Sequence, residues 1–228
     1  MNNDPYGILI VDKDKNMTSH DVVAIVRKRF AFKKVGHAGT LDPNATGVLV
    51  LLIGKATKLS DKFLNQEKEY VGIMKLGEST DSGDSDGAVL DVKDINVSEE
   101  DIKKAVSGFQ GEAYQRPPMY SAKQVKGERL YDLARRGIEV ERESVKVEIK
   151  RIMVEDIELP YVTFRVVCSK GTYIRQLASD IGGKLGCGAH LVELRRTRSG
   201  EFRIEQGMTM PEIKKLKREE LEQKLVTV

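Results

Sequence analysis

The sequence is poor in cysteine and has no long apolar run. Only two of its 228 residues are cysteine, Cys168 and Cys187, which excludes a disulfide framework or a metal knuckle of paired CxxC motifs and favours a reducing compartment. The longest apolar run, GVLVLLIG at 47–54, is far shorter than the roughly 20 residues that cross a bilayer. The first fifteen residues lack the basic and apolar regions of a secretory signal. We therefore expect a soluble, cytoplasmic protein.

The motifs of common cofactor and metal sites are also missing. The segment SGDSDG at 82–87 resembles the start of a calcium loop, but position 12 of such a loop would be Lys93, where an acid is needed. GKAT at 54–57 lacks the Ser or Thr that follows the lysine of a phosphate-binding loop. The three histidines are not spaced as metal ligands, and no nucleophile elbow, deaminase signature or dinucleotide fingerprint occurs. We expect a site without metal or cofactor.

Acidic side chains are concentrated in one segment. Residues 78–101 contain nine acidic residues and one lysine, so the rest of the chain has 37 basic against 26 acidic side chains. Such a basic remainder is typical of nucleic-acid binders, although solvated helix faces give the same composition. Candidates for phosphate contacts are the basic clusters at 27–29, 33–34 and 195–198.

Apolar patterns predict a mixture of strands and helices. GILIVD at 7–12 indicates a buried strand, and Ser19 is expected to cap a helix with an apolar stripe. The run at 47–54 indicates a central strand. Because strands and helices follow each other without a βαβ rhythm, we predict an α+β fold around a mainly antiparallel sheet. The other predicted elements are strands at Glu69–Leu76, Lys146–Glu158 and Val162–Cys168, a helix capped by Ser98, and a charged terminal helix from Met210.

One acidic residue stands alone in the small-residue segment GHAGTLDPNATGVL at 36–49. Its glycines permit close backbone approach, and Pro43 restricts the turn after Asp42. The segment therefore favours either a rigid loop that presents a single carboxylate or an Asx turn before the proline. A second segment, CSKGTYIRQLASDIG at 168–182, places Lys170, Tyr173 and Arg175 around a predicted helix N-terminus, where a cation can meet an anion or a phosphate.

Five collinear segments resemble the TruB family of bacterial tRNA pseudouridine synthases, which modify uridine 55 in the T loop. The resemblance implies the pseudouridine-synthase catalytic fold over residues 1–209, with a mixed, mainly antiparallel sheet flanked by helices. It also implies a mobile, thumb-like insertion at about 123–142, base flipping of the target, and a monomer that needs no cofactor. The segments are GILIVDKDKNMTSHDVV, GHAGTLDPNATGVL, KEYVGIMKLGESTDSGDSDG, QRPPMYSAKQVKGERLYDLARRGIE and CSKGTYIRQLASDIGGKLGCGAHLVELRRTRSG.

The resemblance assigns roles to individual residues. Asp42 falls on the family's catalytic aspartate, Tyr70 on the tyrosine that stacks on the target uracil, and Arg175 on the arginine that pairs with the aspartate. The remaining substrate positions are the pocket residues Tyr173 and Leu194, His37 near the displaced bases, and Lys13 after the first strand. In the insertion, Arg129, Arg135 and Arg136 suit contact with a bound stem-loop.

The chain also departs from the family pattern. Only about 18 residues follow Met210, so for residues 210–228 we expect a charged helix and no complete C-terminal RNA-binding domain. Two alternatives to a stand-alone tRNA enzyme stay open: a guide-RNA-dependent component of the dyskerin type, and a non-catalytic RNA-binding module.

Overall fold

The computed structural model describes residues 5–121, 123–125 and 127–227. The strands are β1 Gly7–Lys13, β2 Val35–His37, β3 Thr46–Ile53, β4 Lys68–Leu76, β5 Glu78–Thr80, β6 Val89–Val92, β7 Gly111–Gln115, β8 Gln124–Val125, β9 Glu128–Arg129, β10 Val145–Glu158, β11 Tyr161–Cys168, β12 Ala189–Ser199, β13 Phe202–Arg203 and β14 Met208–Thr209. The α-helices are α1 Ser19–Arg29, α2 Ser60–Leu64, α3 Glu99–Ser107, α4 Leu130–Arg135, α5 Ile174–Leu185, α6 Met210–Lys215 and α7 Arg218–Gln223.

The chain folds into two compact units. Unit 1 contains the residues up to Tyr70 together with those from Leu194 onward, and unit 2 is Val71–Glu193. Strands β4 and β12 each contribute residues to both units. Among the described ranges, no helix has the length and apolar character needed to cross a membrane.

Unit 1 is built on a mixed sheet. Strands β1 and β3 are antiparallel, with Gly7 opposite Ile53 and Lys13 opposite Gly47. Strand β14 runs parallel to β1, and β12 runs parallel to β3 with Arg196 opposite Gly47. This register places the last residue of β1 beside the start of β3, directly after the loop that contains the lone acid.

Alternate residues of β3 enter two different apolar cores, which explains its continuous apolar sequence. Helices α1, α6 and α7 cover one face, and Phe63 and Phe202 pack on the other. The prediction of a central strand at 47–54 is confirmed. The β3 residues of the first core are Leu49, Leu51 and Ile53, and those of the second are Val48, Val50 and Leu52.

Thr18, and not Ser19, caps helix α1. The Thr18 backbone is extended at ψ 156°, its side chain accepts a hydrogen bond from the Asp21 N–H at 3.0 Å, and the Asp21 carboxylate accepts one from the Thr18 N–H at 2.8 Å. This reciprocal pair is a capping box. The prediction that Ser19 caps the helix was wrong, because Ser19 is the first helical residue and its buried side chain bonds elsewhere.

The C-terminal segment forms two short helices where the sequence predicts one. Leu216 and Lys217 separate α6 from α7 with extended backbone at ψ 149° and 165°. The Lys217 N–H donates to the Glu220 carboxylate at 2.7 Å, which favours a new helix start at this point. Both helices contribute to the core of unit 1 through Met210, Ile213 and Leu221. The domain boundary predicted before Met210 and the incomplete C-terminal RNA-binding domain stay predictions.

Unit 2 is mainly antiparallel. Its strands lie in the order β4, β11, β10, β7, with antiparallel pairing of β10 to both neighbours. Helix α3 begins after Ser98, whose side chain forms the predicted capping box with Asp101. Strands β5 and β6 form a separate hairpin. The strands and helices of both units confirm the predicted α+β class.

The predicted insertion at 123–142 contains β8, β9 and α4. Helix α4 buries Leu130 and Leu133, and Arg135 lies over the Tyr131 ring at 5.5 Å. Arg136 pairs with Glu128. The mobility of this segment stays a prediction, and the Arg129 side chain lies outside the described part of the chain.

Candidate active site

Asp42 lies on a tight turn directly before β3. The Ala45 N–H donates to the Asp42 carbonyl at 3.1 Å, and Pro43 lies at the centre of the turn. The Asp42 side chain is half-buried. Gly47 is the second residue of β3, and a Cβ atom there would lie 2.2 Å from the Arg196 carbonyl oxygen. Only glycine lets β3 approach β12 this closely, because a side chain would clash. The Asp42 turn, which directly precedes β3, is thereby held close to a buried strand.

A buried arginine holds the residues before the turn. Arg196 is 1% exposed, and its guanidinium donates to the carbonyls of Val48 at 2.7 Å, Gly39 at 3.0 Å and Thr40 at 3.4 Å. Arg196 belongs to the cluster at 195–198, which is one of the predicted candidates for phosphate contacts. For Arg196 this prediction is wrong, because the side chain is enclosed and its guanidinium donates to backbone carbonyls.

The two neighbouring arginines of that cluster already pair with carboxylates. Arg195 binds both oxygens of Asp12, at 2.7 and 3.1 Å. Arg198 donates to Glu67 at 2.7 Å. These ion pairs lie within unit 1 and connect β12 with β1 and with the residues before β4. The cluster at 195–198 therefore stabilises the sheet.

Lys13 holds the other side of the turn. Its side chain is 0% exposed, and Nζ donates to the carbonyls of Asp14 at 2.8 Å, Met17 at 2.7 Å and Pro43 at 3.0 Å. Burial lowers the pKa of Lys13 to about 8, and the nearby negative charge of Asp42 opposes that shift. The predicted site residue Lys13 thus binds the residue after Asp42 and interacts electrostatically with its carboxylate.

Ser19 binds the residue before Asp42. Its hydroxyl oxygen accepts from the Leu41 N–H at 2.8 Å and donates to the Leu41 carbonyl at 3.1 Å. Sequence reasoning missed this contact because it treated Ser19 as a helix cap. The signal available was the pattern Thr18-x-x-Asp21, which fits a capping box one residue earlier and leaves Ser19 for another role.

His37 ends strand β2 in a partly enclosed position. Burial is the largest cause that lowers its pKa, and the positive charge of Arg196 acts in the same direction. Its Nδ1 atom is buried and has no hydrogen-bond partner among the described residues. The imidazole is therefore favoured in its neutral form.

Tyr70 and Leu194 are half-buried and pack against the same apolar core of unit 1. Tyr70 lies in β4 and Leu194 in β12. Packed residues of this core therefore support both side chains. Together with Lys13, His37 and Asp42, these residues form the unit 1 part of the predicted site.

Arg175 belongs to unit 2, where it is enclosed by backbone carbonyls and one acid. It is 7% exposed and lies in the first turn of α5. Its guanidinium lies 3.2 Å from the Asp84 carboxylate and donates to the carbonyls of Tyr120 at 2.7 Å and Ser82 at 3.4 Å. Sequence reasoning considered Asp84 only as a calcium ligand. The pairing of Arg175 with Asp42, which joins residues of different units, stays a prediction.

Tyr173 is the residue before α5 and is fixed through its backbone. Gln115, which is 3% exposed, accepts from the Tyr173 N–H at 2.9 Å and donates to the Tyr173 carbonyl at 3.3 Å. The predicted helix start at this segment is confirmed. Gln115 could not be identified from the sequence, because it lies 58 positions from Tyr173 along the chain.

The unit 1 geometry provides a carboxylate on a restrained turn beside a buried ammonium group. Such a carboxylate can act as a general base or as a nucleophile. Within the described ranges, no group of three or more His, Cys, Asp or Glu side chains is arranged to hold a metal ion.

Comparisons with known families match residues 27–228 of the chain. Residues 27–174 match the family described as TruB family pseudouridylate synthase (N terminal domain). Residues 175–228 match the tRNA pseudouridylate synthase B C-terminal domain. The two matches together include every predicted site residue except Lys13.

Relatives and solved structures agree with these matches. The chain is 52% identical over 208 residues to the tRNA pseudouridine synthase B of Clostridium tetani. This match covers 91% of this chain and 72% of the relative. The chain is 47% identical to the protein of that name from Opitutus terrae, with coverage of 97% and 92%. The chain in a crystal structure of a Cbf5-Nop10-Gar1 complex is 38% identical, with a TM-score of 0.72; the match covers 91% of this chain but only 53% of the other.

Proposed function

Because the chain belongs to the TruB family of pseudouridylate synthases, we propose that it isomerises uridine 55 in the T loop of tRNA, with Asp42 as the catalytic group. Its relatives are named tRNA pseudouridine synthase B. The chain is thus an isomerase that converts uridine to pseudouridine in tRNA.

The observation that carries the catalytic assignment is the restrained turn of Asp42. The reaction breaks the bond between N1 and C1′, rotates the base, and joins C5 to C1′. A proton leaves C5 and one is gained at N1, so no electrons and no group donor are required. A carboxylate serves this reaction either by forming a covalent bond to the nucleotide or by removing a proton from the sugar. Both routes need one acid held at a fixed position.

Access to a uracil requires that the base leave its stack, which costs a few kcal/mol. One stacking contact between a base and an aromatic ring returns about 1 to 3 kcal/mol. The half-buried ring of Tyr70, which packs on the core of unit 1, supports its proposed role as the stacking platform. The remaining binding energy belongs to contacts with the phosphate backbone.

Leu194 of unit 1 and Tyr173 of unit 2 are each proposed as a substrate contact, and His37 is proposed to lie near the displaced bases. Lys13 acts on the Asp42 turn through its bond to Pro43. Arg175 provides a positive charge, and its pair with Asp84 fixes the orientation of its guanidinium.

The T stem-loop as the recognised part of tRNA, a monomeric state and a cytoplasmic location belong to the same proposal. The balance of charge supports a nucleic-acid partner, since nine of the acidic residues lie in the single segment 78–101 and the rest of the chain is basic. The exposed basic residues at 27–29 and 33–34 are proposed phosphate contacts.

A guide-RNA-dependent role of the dyskerin type has weaker support. The matched chain of the Cbf5-Nop10-Gar1 complex is 38% identical, and this chain spans about half of its length. The relatives named for tRNA are about half identical and are covered over most of their length. A non-catalytic RNA-binding module would not need the restrained acid, the aromatic ring and the buried arginine together.

The direct test is incubation of the protein with an unmodified tRNA transcript and with the isolated T-arm stem-loop, without guide RNA, followed by mapping of pseudouridine. We expect one pseudouridine, at position 55, in both RNAs. A transcript with cytidine at position 55 is the control and should stay unmodified. Product at another position, or none in either RNA, would contradict the proposal.

A further inference from the structure

Ser19 makes a closed pair of hydrogen bonds with one backbone residue. Its hydroxyl accepts from the Leu41 N–H at 2.8 Å and donates to the Leu41 carbonyl at 3.1 Å. A serine hydroxyl has one hydrogen to donate and two lone pairs, so this geometry uses it in both directions. Ser19 is 2% exposed, and water therefore does not compete for the contact.

The two bonds restrain two successive peptide planes. The Leu41 N–H belongs to the peptide between residues 40 and 41, and the Leu41 carbonyl belongs to the peptide between Leu41 and Asp42. The second of these planes ends at the Asp42 nitrogen. Ser19 therefore fixes the backbone on the N-terminal side of the Asp42 Cα.

The C-terminal side of Asp42 is restrained by different groups. The Asp42 carbonyl accepts from the Ala45 N–H at 3.1 Å, and the Pro43 carbonyl accepts from Lys13 at 3.0 Å. With the peptide planes on both sides held, the direction of the Asp42 Cα–Cβ bond is set. Only the two side-chain torsions of Asp42 then remain to be positioned.

We infer that Ser19 is a positioning residue for Asp42, and this inference rests on the proposed catalytic role of Asp42. Ser19 lies at the start of a helix whose Val22, Val23 and Val26 are embedded in the unit 1 core. Because α1 is packed in this core, the hydrogen bonds of Ser19 to Leu41 restrain the turn that carries the Asp42 carboxylate. A misplacement of about 1 Å can reduce turnover roughly 100-fold, so loss of this contact should lower the rate of isomerisation more than the affinity for tRNA.

The test compares Ser19→Ala with Thr18→Ala. Thr18 is adjacent and caps α1, so its loss also destabilises the helix, but its side chain bonds Asp21 and not the turn. We expect each variant to lower the melting temperature by roughly 2 to 8 °C. Single-turnover isomerisation with saturating enzyme should fall about 10- to 100-fold in Ser19→Ala and less than threefold in Thr18→Ala. The Kd for tRNA should stay within threefold of the wild type in both.

Several outcomes separate this inference from a purely structural role. A wild-type rate in folded Ser19→Ala, or an equal loss of rate in Thr18→Ala, would overturn it. If Ser19→Ala does not fold, Ser19→Cys, which has nearly the same size and bonds more weakly, decides by the same criterion. Asp42→Asn is measured alongside: full activity of Asp42→Asn refutes the proposed function, whereas an inactive Asp42→Asn with a fully active Ser19→Ala refutes only the positioning role.

Discussion

Three buried polar side chains each bind the backbone of a predicted site residue or of its neighbour in the chain. Ser19 binds Leu41, Lys13 binds Pro43, and Gln115 binds Tyr173. A buried backbone group left without a partner costs about 1 to 3 kcal/mol, so these contacts make alternative loop conformations unfavourable. At the scale of single residues, the turn at Asp42 and the backbone of Tyr173 are therefore held in place through the main chain.

Tyr70 allows the ring and the hydroxyl to be tested separately. Because stacking needs only the ring, Tyr70→Phe should bind tRNA within threefold of the wild type. Tyr70→Ala should lose about 1 to 3 kcal/mol of binding, or roughly 5- to 150-fold in Kd. Filter binding to an unmodified transcript measures both, with the exposed Tyr6→Ala as the control. Equal losses in Tyr70→Phe and Tyr70→Ala would contradict the stacking role.

Lys13 should make stability depend on pH in the alkaline range. Its folded pKa of about 8 lies below the ordinary value of 10.5 because burial disfavours the charged form. Between pH 8 and 10.5 the unfolded chain therefore binds more protons than the folded one at this position, and stability rises with pH. The contribution reaches about 3 kcal/mol, and below pH 8 the cost of burying the charge is fully present.

Urea unfolding of the wild type and of Lys13→Met from pH 7.5 to 10.5 measures this contribution. The free energy of unfolding of the wild type should increase relative to Lys13→Met by up to about 3 kcal/mol over this range. Lys15→Met, on the exposed loop two residues later, should follow the wild type. A constant difference between the wild type and Lys13→Met across the range would show that Lys13 does not titrate there.

At the scale of elements, the sequence predicts those strands whose apolar pattern is continuous or alternating. Strands β1, β3, β4, β10 and β11 were predicted because most of their buried positions are apolar. Strand β12 was not, since its sequence AHLVELRRTRS contains three arginines. Their charges are accommodated by partners far along the chain, namely Asp12, Glu67 and the carbonyls around Gly39, and no local pattern reveals such partners.

Site residues could likewise be predicted where they lie in a recognisable local segment, and not where they depend on contacts between distant positions. The positions of Asp42, Tyr70 and Arg175 follow from local segments that resemble a known family. Their supports, Ser19 and Gln115, are separated from the residues they bind by 22 and 58 positions. A serine at the start of a helix and a glutamine in a strand are common, and only tertiary structure shows what they contact.

The terminal helix α7 should stabilise unit 1 through one side chain. Leu221 is fully buried in the core that also contains α1, so Leu221→Ala should lower the free energy of unfolding by about 2 to 5 kcal/mol. Gln223→Ala, on the exposed side of the same helix, should change it by less than about 0.5 kcal/mol. Urea unfolding measures both variants. Equal stabilities would contradict the docking of α7 on the core.

At the scale of the whole molecule, some charged side chains form ion pairs within the protein and others are proposed contacts with tRNA. The acidic segment 78–101 reduces the net charge to +3, and one of its acids, Asp84, pairs with the buried Arg175. The basic residues of β12 are likewise paired within unit 1. The basic residues at 27–29 and 33–34 are exposed, whereas the arginines of β12 are half-buried or buried, so exposure favours the former as the proposed tRNA contacts.

The account depends most directly on the carboxylate of Asp42. The decisive measurement is the single-turnover rate of pseudouridine formation at position 55 by Asp42→Asn, together with its Kd for an unmodified tRNA transcript. We predict a rate at least about 100-fold below the wild type, with a Kd within threefold, while the exposed Asp61→Asn stays fully active. A near-wild-type rate in Asp42→Asn would contradict the account.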